Sequence, residues 1–262
     1  MQARILPAAR GWRWLVDGFR LFRSNPAMLT FVVFGYWLVL VFLNVVPLVG
    51  FVLAPLCVPA LSVGVMNGCR VVEQGGVAPF SILYSGFRQH ARALLLLGAL
   101  YLAGSVAVLA ASIPVDGGVL FEIMLGGRRP GPEAIAASNV MAALQVALLL
   151  MVPLLMAFWF APLLVAWNDL GAAKALFFSF VACWRNWRAF VVYGAGVAFV
   201  SAILPGILLG LFGAFSEALV RAAVVALTLP ILFVFVPTLF ASFYLSYRDV
   251  FAAASPAPAA VV

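Results

Sequence analysis

Six apolar stretches, at roughly 28–48, 51–71, 93–113, 139–167, 189–212 and 219–246, are separated by shorter mixed segments. Each reaches the roughly 20 residues that an α-helix needs to cross the hydrocarbon core of a bilayer. Three of the mixed segments carry a different pattern. In the first, Trp12, Leu15, Val16, Phe19 and Phe22 form an apolar stripe opposite Arg13, Asp17, Arg20 and Ser24. A shift of 68 gives Phe80, Leu83, Tyr84, Phe87 and His90, opposite Ser81, Ser85, Arg88 and Arg92. A shift of 165 gives Phe177, Phe180, Val181, Trp184 and Trp187, with Arg185 and Arg188 in the places of Arg20 and Arg23. These spacings are one face of a 3.6-residue period. The pattern predicts an all-α integral membrane protein of three repeats, each an amphipathic interfacial helix followed by a two-span hairpin. The units run about 8–71, 79–167 and 174–246 within a single transmembrane domain, 1–249. The Ala/Pro-rich tail 250–262 is expected to be disordered.

Proline and glycine refine the picture. Pro47-Leu48-Val49-Gly50 reads as the tight turn of the first hairpin. Pro55, Pro162 and Pro237 each fall inside an even-numbered span, where a proline frees the carbonyl four residues earlier. The three predict bent helices that wrap around one another, or gating hinges. Gly64-x-x-x-Gly68 and Gly206-x-x-x-Gly210 are candidate close-packing faces. In the longest connection, about 114–138, Val119–Leu125 is expected to lie as a short helix on the outer leaflet before a turn through Gly126–Pro132.

Composition excludes a water-soluble domain: 66% of residues are hydrophobic, 9% are charged and the mean hydropathy is +1.19. The net charge of +7 would suggest nucleic acid in a soluble protein, but here no nucleic-acid partner is expected. Twelve of the 15 Lys and Arg residues fall on the side of the N-terminus and of the 72–92 and 168–188 connections, leaving Arg128, Arg129 and Arg221 opposite. The positive-inside rule then puts both termini in the cytoplasm. The first apolar stretch begins near Ala27 and has no small-residue cleavage site, so it reads as a permanent span, not a signal peptide.

Candidate chemistry is sparse. His90 is the only histidine, and Cys57, Cys69 and Cys183 show no metal or disulfide spacing, so no catalytic residue, cofactor or metal is expected. Asp17, Glu73, Asp169 and Asp249 share no motif, and Glu217–Arg221 reads as a local i,i+4 ion pair. Within the spans the polar residues are uncharged: Asn44, Asn67, Asn139, Gln145, Thr228 and Thr238. They read as interhelical hydrogen-bonders or span-end residues, which counts against ion-coupled transport. What remains is a basic belt. Arg13, Arg20, Arg23, Arg88, Arg92, Lys174, Arg185 and Arg188 lie beside Trp12, Trp14, Trp184 and Trp187. They are candidate contacts to the headgroups of an anionic inner leaflet, or plain anchors that set topology.

The segments Arg4-Ile-Leu-Pro7, Gly11-Trp12-Arg13-Trp14, Phe22-Arg23-Ser24-Asn25-Pro26, Phe158-Trp159-Phe160-Ala161-Pro162 and Asn186-Trp187 resemble a functionally unassigned family of polytopic inner-membrane proteins typical of beta-proteobacteria. The resemblance runs from the N-terminus to about Asp249. More distantly, the unit of amphipathic helix plus two spans is similar to the membrane domain of some glycerophosphodiester phosphodiesterases, whose catalytic barrel has no counterpart here. The family implies an inner-membrane location and six spans, and it carries no activity or binding residues across. The expectation is a non-enzymatic protein that organises, regulates or senses lipid, with membrane lipids and a membrane-protein partner or second copy as its contacts. The alternative is a transporter or lipid translocator with a path between the three units.

Overall fold

The computed structural model describes residues 3–45, 49–126, 131, 133 and 138–251, Gln89 by its backbone alone. Pro47, Leu48, Arg128, Arg129 and the tail from Ala252 lie outside the described residues, as do the hairpin turn and most of the outer turn expected there. Val250 and Phe251, assigned to the tail from sequence, are instead the end of the last helix.

The helices run α1 (Ala9–Ser24), α2 (Pro26–Val45), α3 (Gly50–Glu73), α4 (Ser85–Asp116), α5 (Val119–Leu125), α6 (Val140–Trp159), α7 (Ala161–Asn168), α8 (Ala172–Arg185), α9 (Trp187–Ala198), α10 (Leu204–Gly213), α11 (Glu217–Pro230) and α12 (Val236–Phe251). A 3₁₀ turn, Phe80–Tyr84, precedes α4, and π-turns at Phe199–Ile203 and Ile231–Phe235 join α9 to α10 and α11 to α12. No strand occurs among the described residues. Among the described residues six helices are long and apolar enough to cross a membrane: Pro26–Val45, Gly50–Glu73, His90–Asp116, Val140–Asn168, Trp187–Gly213 and Glu217–Phe251. The protein is an all-α integral membrane protein.

Each amphipathic segment stops at a residue with non-helical backbone: Asn25 (φ −151°), His90 (φ −130°) and Asn186 (φ −109°). A span follows at once. The second segment is not the continuous helix expected, but a 3₁₀ turn and a short α-helical stretch up to His90. The breaks also set a register different from that of the sequence stripe. The buried face of α1 is Gly11, Trp14, Leu15, Gly18, Leu21 and Phe22. In α8 the buried positions include Ala172, Ala175, Ser179, Ala182 and Cys183, while Phe177 is 63% and Trp184 65% exposed. The inward face is thus turned away from the stripe of large apolar side chains: small residues such as Gly11, Gly18, Ala175 and Ser179 face the body of the protein, while Trp12, Phe19, Phe177 and Trp184 stay outside.

Two compact units divide the chain: Met1–Val39 with Gly64–Ser85 and Ala182–Val262, and Leu40–Val63 with Gly86–Val181. In the first, the 3₁₀ turn packs on the end of α3, where Gly64 meets the backbone of Leu83. Gly68 receives Val32 of the first span, so this small-residue motif is used for packing. Gly206 and Gly210 have open space before them, so the second motif packs against nothing among the described residues.

In the second unit Asp116 caps α5, accepting from Gly118 N (2.9 Å) and Leu120 N (2.6 Å). Leu120 then joins Val108, Ala143 and Ala147 in a core cluster, so the short helix docks on its own unit. The helix before Pro162 breaks at Phe160, and Ser179 of α8 repairs the break. Its hydroxyl donates to Met156 O (2.8 Å) and accepts from Phe160 N (2.9 Å), inserting into what would be one i→i−4 link.

The three even-span prolines therefore do not make equivalent kinks. Pro55 lies in a continuous helix, Pro162 follows the mended break, and Pro237 follows a π-turn. The carbonyl that Pro237 frees, Phe233 O, is reached by Thr30 Oγ1 at 3.4 Å.

Candidate functional site

The polar residues of the first unit gather beneath α1. Gly11 and Gly18 let that helix approach its neighbours at backbone distance. A Cβ on Gly11 would run into Ala189 O, and one on Gly18 would lie 2.8 Å from Ser242 Cβ. Trp14 is 0% exposed, against Phe190 (5.4 Å) and Tyr193 (6.0 Å), instead of facing headgroups as the sequence suggested. Its indole Nε1 donates to Asp249 Oδ2 (2.9 Å), which also accepts from Arg10 Nε (2.6 Å). Tyr193 and Ser242 share a hydrogen bond of 2.8 Å deeper in the same contact.

This knot extends in both directions. Arg10 lies 3.4 Å from Asp17, which is paired with Arg20 at 3.0 Å. Arg248 is 3.8 Å from Asp249 and pairs with Glu73, which also accepts from the Tyr244 hydroxyl (2.5 Å). The N-terminal strap closes the end. Asn186 accepts from Leu6 N (2.8 Å) and donates to Arg4 O (2.9 Å), and Arg4 N donates to Val250 O (2.9 Å). The hydrogen bond to Asp249, reinforced by the charges of Asp249 and Asp17, raises the Arg10 pKa above the usual arginine value. Arg10 therefore stays cationic at every physiological pH.

Sequence reasoning missed Arg10, Asp249, Glu73, Tyr244 and Asn186. Its own candidates lie outside the knot: Arg13, Arg20, Arg23, Arg88, Arg92, Lys174, Arg185 and Arg188 are all exposed. Arg13, Arg20 and Arg23 project from α1, and Arg188 sits in the first turn of α9, on which α1 packs. Arg88, Arg92 and Lys174 belong to the second unit. Arg23 stands over the Phe19 ring (6.0 Å) and Arg188 over Trp187 (5.5 Å), both cation–π distances. Trp12, Trp184 and Trp187 are about half exposed or more.

The remaining chemistry is local. His90 Nε2 lies 3.4 Å from Asp169, whose backbone adopts a left-handed φ of 53° at the end of α7. Arg221 and Glu217 form the anticipated local pair (3.7 Å), and Ser216 caps the same helix by accepting from Leu219 N (3.2 Å). Of the span polar residues, Asn67 reaches Ser85 (2.8 Å), whereas Asn44, Thr228 and Thr238 bond back to their own helices. No group of three His, Cys, Asp or Glu that could hold a metal occurs among the described residues.

A protein of Burkholderia thailandensis named "probable inner membrane protein" is 37% identical over 262 residues, covering 98% of this chain and 96% of its own. No family model matches the chain. No solved structure matches it either.

Proposed function

Because the chain belongs to the family of that Burkholderia thailandensis protein, and is with it a multi-pass protein of the inner membrane, we propose a non-catalytic, lipid-responsive role in organising or regulating other envelope components. One observation carries this reading. The acids near α1 are consumed internally: Asp17, Asp249 and Glu73 are bound to Arg10, Arg20 and Arg248. Arg13, Arg23, Arg88, Arg92, Lys174, Arg185 and Arg188 have no carboxylate partner among the described residues. Uncompensated cations beside interfacial aromatics, on a leaflet of anionic lipid, gain roughly 1 kcal/mol each. In this reading these cations and both termini face the cytoplasm, where the positive-inside rule puts them.

The test is mass spectrometry of the protein extracted in native nanodiscs, scoring co-purifying lipids and proteins. Arg13→Glu, Arg88→Glu and Arg185→Glu together are expected to lower enrichment of anionic phospholipid and to weaken any stoichiometric protein partner. Arg20 is left intact because its pair with Asp17 would confuse the result. Unchanged enrichment in the triple variant refutes the proposal. Translocation along a path between repeats is the rival reading, supported by the proline-linked backbone irregularities at Phe160 and Ile231–Phe235. Lipid flux in proteoliposomes that changes with Pro162→Ala or Pro237→Ala would favour it.

A further inference from the structure

We infer that the open groove lined by α1 and the fifth and sixth spans is a binding site for the acyl chain of an anionic phospholipid drawn from the surrounding bilayer. The inference rests on the lipid-responsive reading and names its ligand. The groove has a volume of 460 Å³, within the range of small-molecule sites. Trp12 and Phe19 of α1, Leu204 of the fifth span, and Leu227 and Val234 of the sixth line it. Thr238 supplies the one hydroxyl in its wall, and that hydroxyl is already donated to Val234 O at 2.7 Å. Apart from the Trp12 indole the lining residues offer no other polar side chain, the groove surface is almost wholly apolar, and the site lies among membrane-spanning helices whose solvent is lipid.

Two further features bear on the ligand: backbone geometry marks the groove, and charge selects a phospholipid over a generic apolar filler. Both π-turns contribute to the groove, Val200 from Phe199–Ile203 and Val234 from Ile231–Phe235. A π-turn inserts an extra residue that displaces the helix surface, and such turns recur at functional sites. The second feature is charge. Phe19 forms part of the wall while its ring carries the Arg23 guanidinium, which is exposed and has no carboxylate partner among the described residues. The apolar space and the uncompensated cation thus share a side chain, the juxtaposition that a fatty chain ending in a phosphodiester requires.

The experiment uses the full chain, delipidated in detergent and titrated with phosphatidylglycerol or phosphatidylcholine of identical chains, read by native mass spectrometry. In parallel, phosphatidylglycerol carrying a diazirine in its acyl chain is photolysed on the wild-type protein and the labelled peptides are mapped. Labels are expected to concentrate on α1 and residues 227–238. Leu204→Trp and Leu227→Trp, filling the groove from opposite walls, should each weaken phosphatidylglycerol retention about tenfold, the contact of roughly two methylenes. Arg23→Glu should bring phosphatidylglycerol and phosphatidylcholine toward parity while the chain label persists. Hydrogen exchange of α1 in each variant separates a filled groove from an unfolded protein, and if both Trp variants unfold, the wild-type label map decides alone.

Labels spread evenly over all lipid-facing spans, or a second copy crosslinked in the groove, overturn the inference while leaving the basic-belt reading standing. Equal retention of phosphatidylglycerol and phosphatidylcholine by the wild-type protein overturns the anionic assignment together with that reading.

Discussion

Asp249 holds α1 to the body of the first unit, and its removal has a calculable cost. Its Oδ2 accepts from both Arg10 Nε and the Trp14 indole. A hydrogen bond to a charged group contributes about 1.5–3 kcal/mol. Asp249→Ala removes two. Arg10, with a side chain 24% exposed and Asp17 still 3.4 Å away, recovers part of the loss through water and the second carboxylate. Trp14, wholly buried, recovers nothing. We estimate about 3 kcal/mol in all, close to a hundredfold increase in the undocked population of α1. Hydrogen–deuterium exchange of peptides spanning residues 9–24, in nanodiscs, reads that population directly. Asp249→Asn, which keeps an acceptor for Trp14 but loses the charge, should fall between wild type and Asp249→Ala. Arg10→Met added to Asp249→Ala should cost little more, because the two share one interaction. The raised pKa of Arg10 means that its contribution is present below the ordinary arginine range and is lost only as pH rises through the folded value, so docking should not vary with physiological pH on its account. Exchange in Asp249→Ala within about threefold of wild type, or additive losses in the double variant, would refute the reasoning.

Three other outcomes follow from the packing. Gly11→Leu should undock α1 by overpacking against Ala189 and Tyr193, costing about 1–3 kcal/mol in the same exchange assay, whereas Gly206→Leu, facing open space, should stay within about 0.5 kcal/mol. Ser179→Ala removes the bridge between Met156 O and Phe160 N and should lower the thermal midpoint of the detergent-solubilised protein, by a loss of about 1–3 kcal/mol. His90→Ala should leave lipid enrichment in native nanodiscs unchanged, since no role in the belt or groove is assigned to it.

The spans were legible because an apolar run of bilayer length has almost no other reading, and all six fall within a few residues of where hydropathy put them. The amphipathic segments were legible as segments but not in register. Small residues such as Gly11, Gly18, Ser179 and Ala182 form buried positions that a search for large apolar side chains passes over. The knot was invisible for another reason. Arg10 and Asp249 are 239 positions apart, and Glu73 and Tyr244 are 171 apart, so each looks like an ordinary charge or ring at a span end. Nor could sequence separate Trp14 from Trp12. Two residues apart, they project from opposite sides of one helix, which sends one indole into the body of the unit and leaves the other half outside. The groove escaped because its walls come from segments far apart in sequence, and because hydropathy reads the π-turns that form part of it as unbroken helix.

The clasp between α1 and α12 imposes an order of assembly. A ribosome makes Gly11, Trp14 and Gly18 long before Ala189, Ser242 and Asp249, the residues on which they rest. Throughout the insertion of the intervening spans, α1 has no protein surface to occupy. Its apolar side must wait against lipid tails while Arg13, Arg20 and Arg23 remain in water. Only when Val250 emerges to receive the amide of Arg4 can α1 exchange the bilayer for its own chain. A helix made before the helices it rests on is seated only after they are in place.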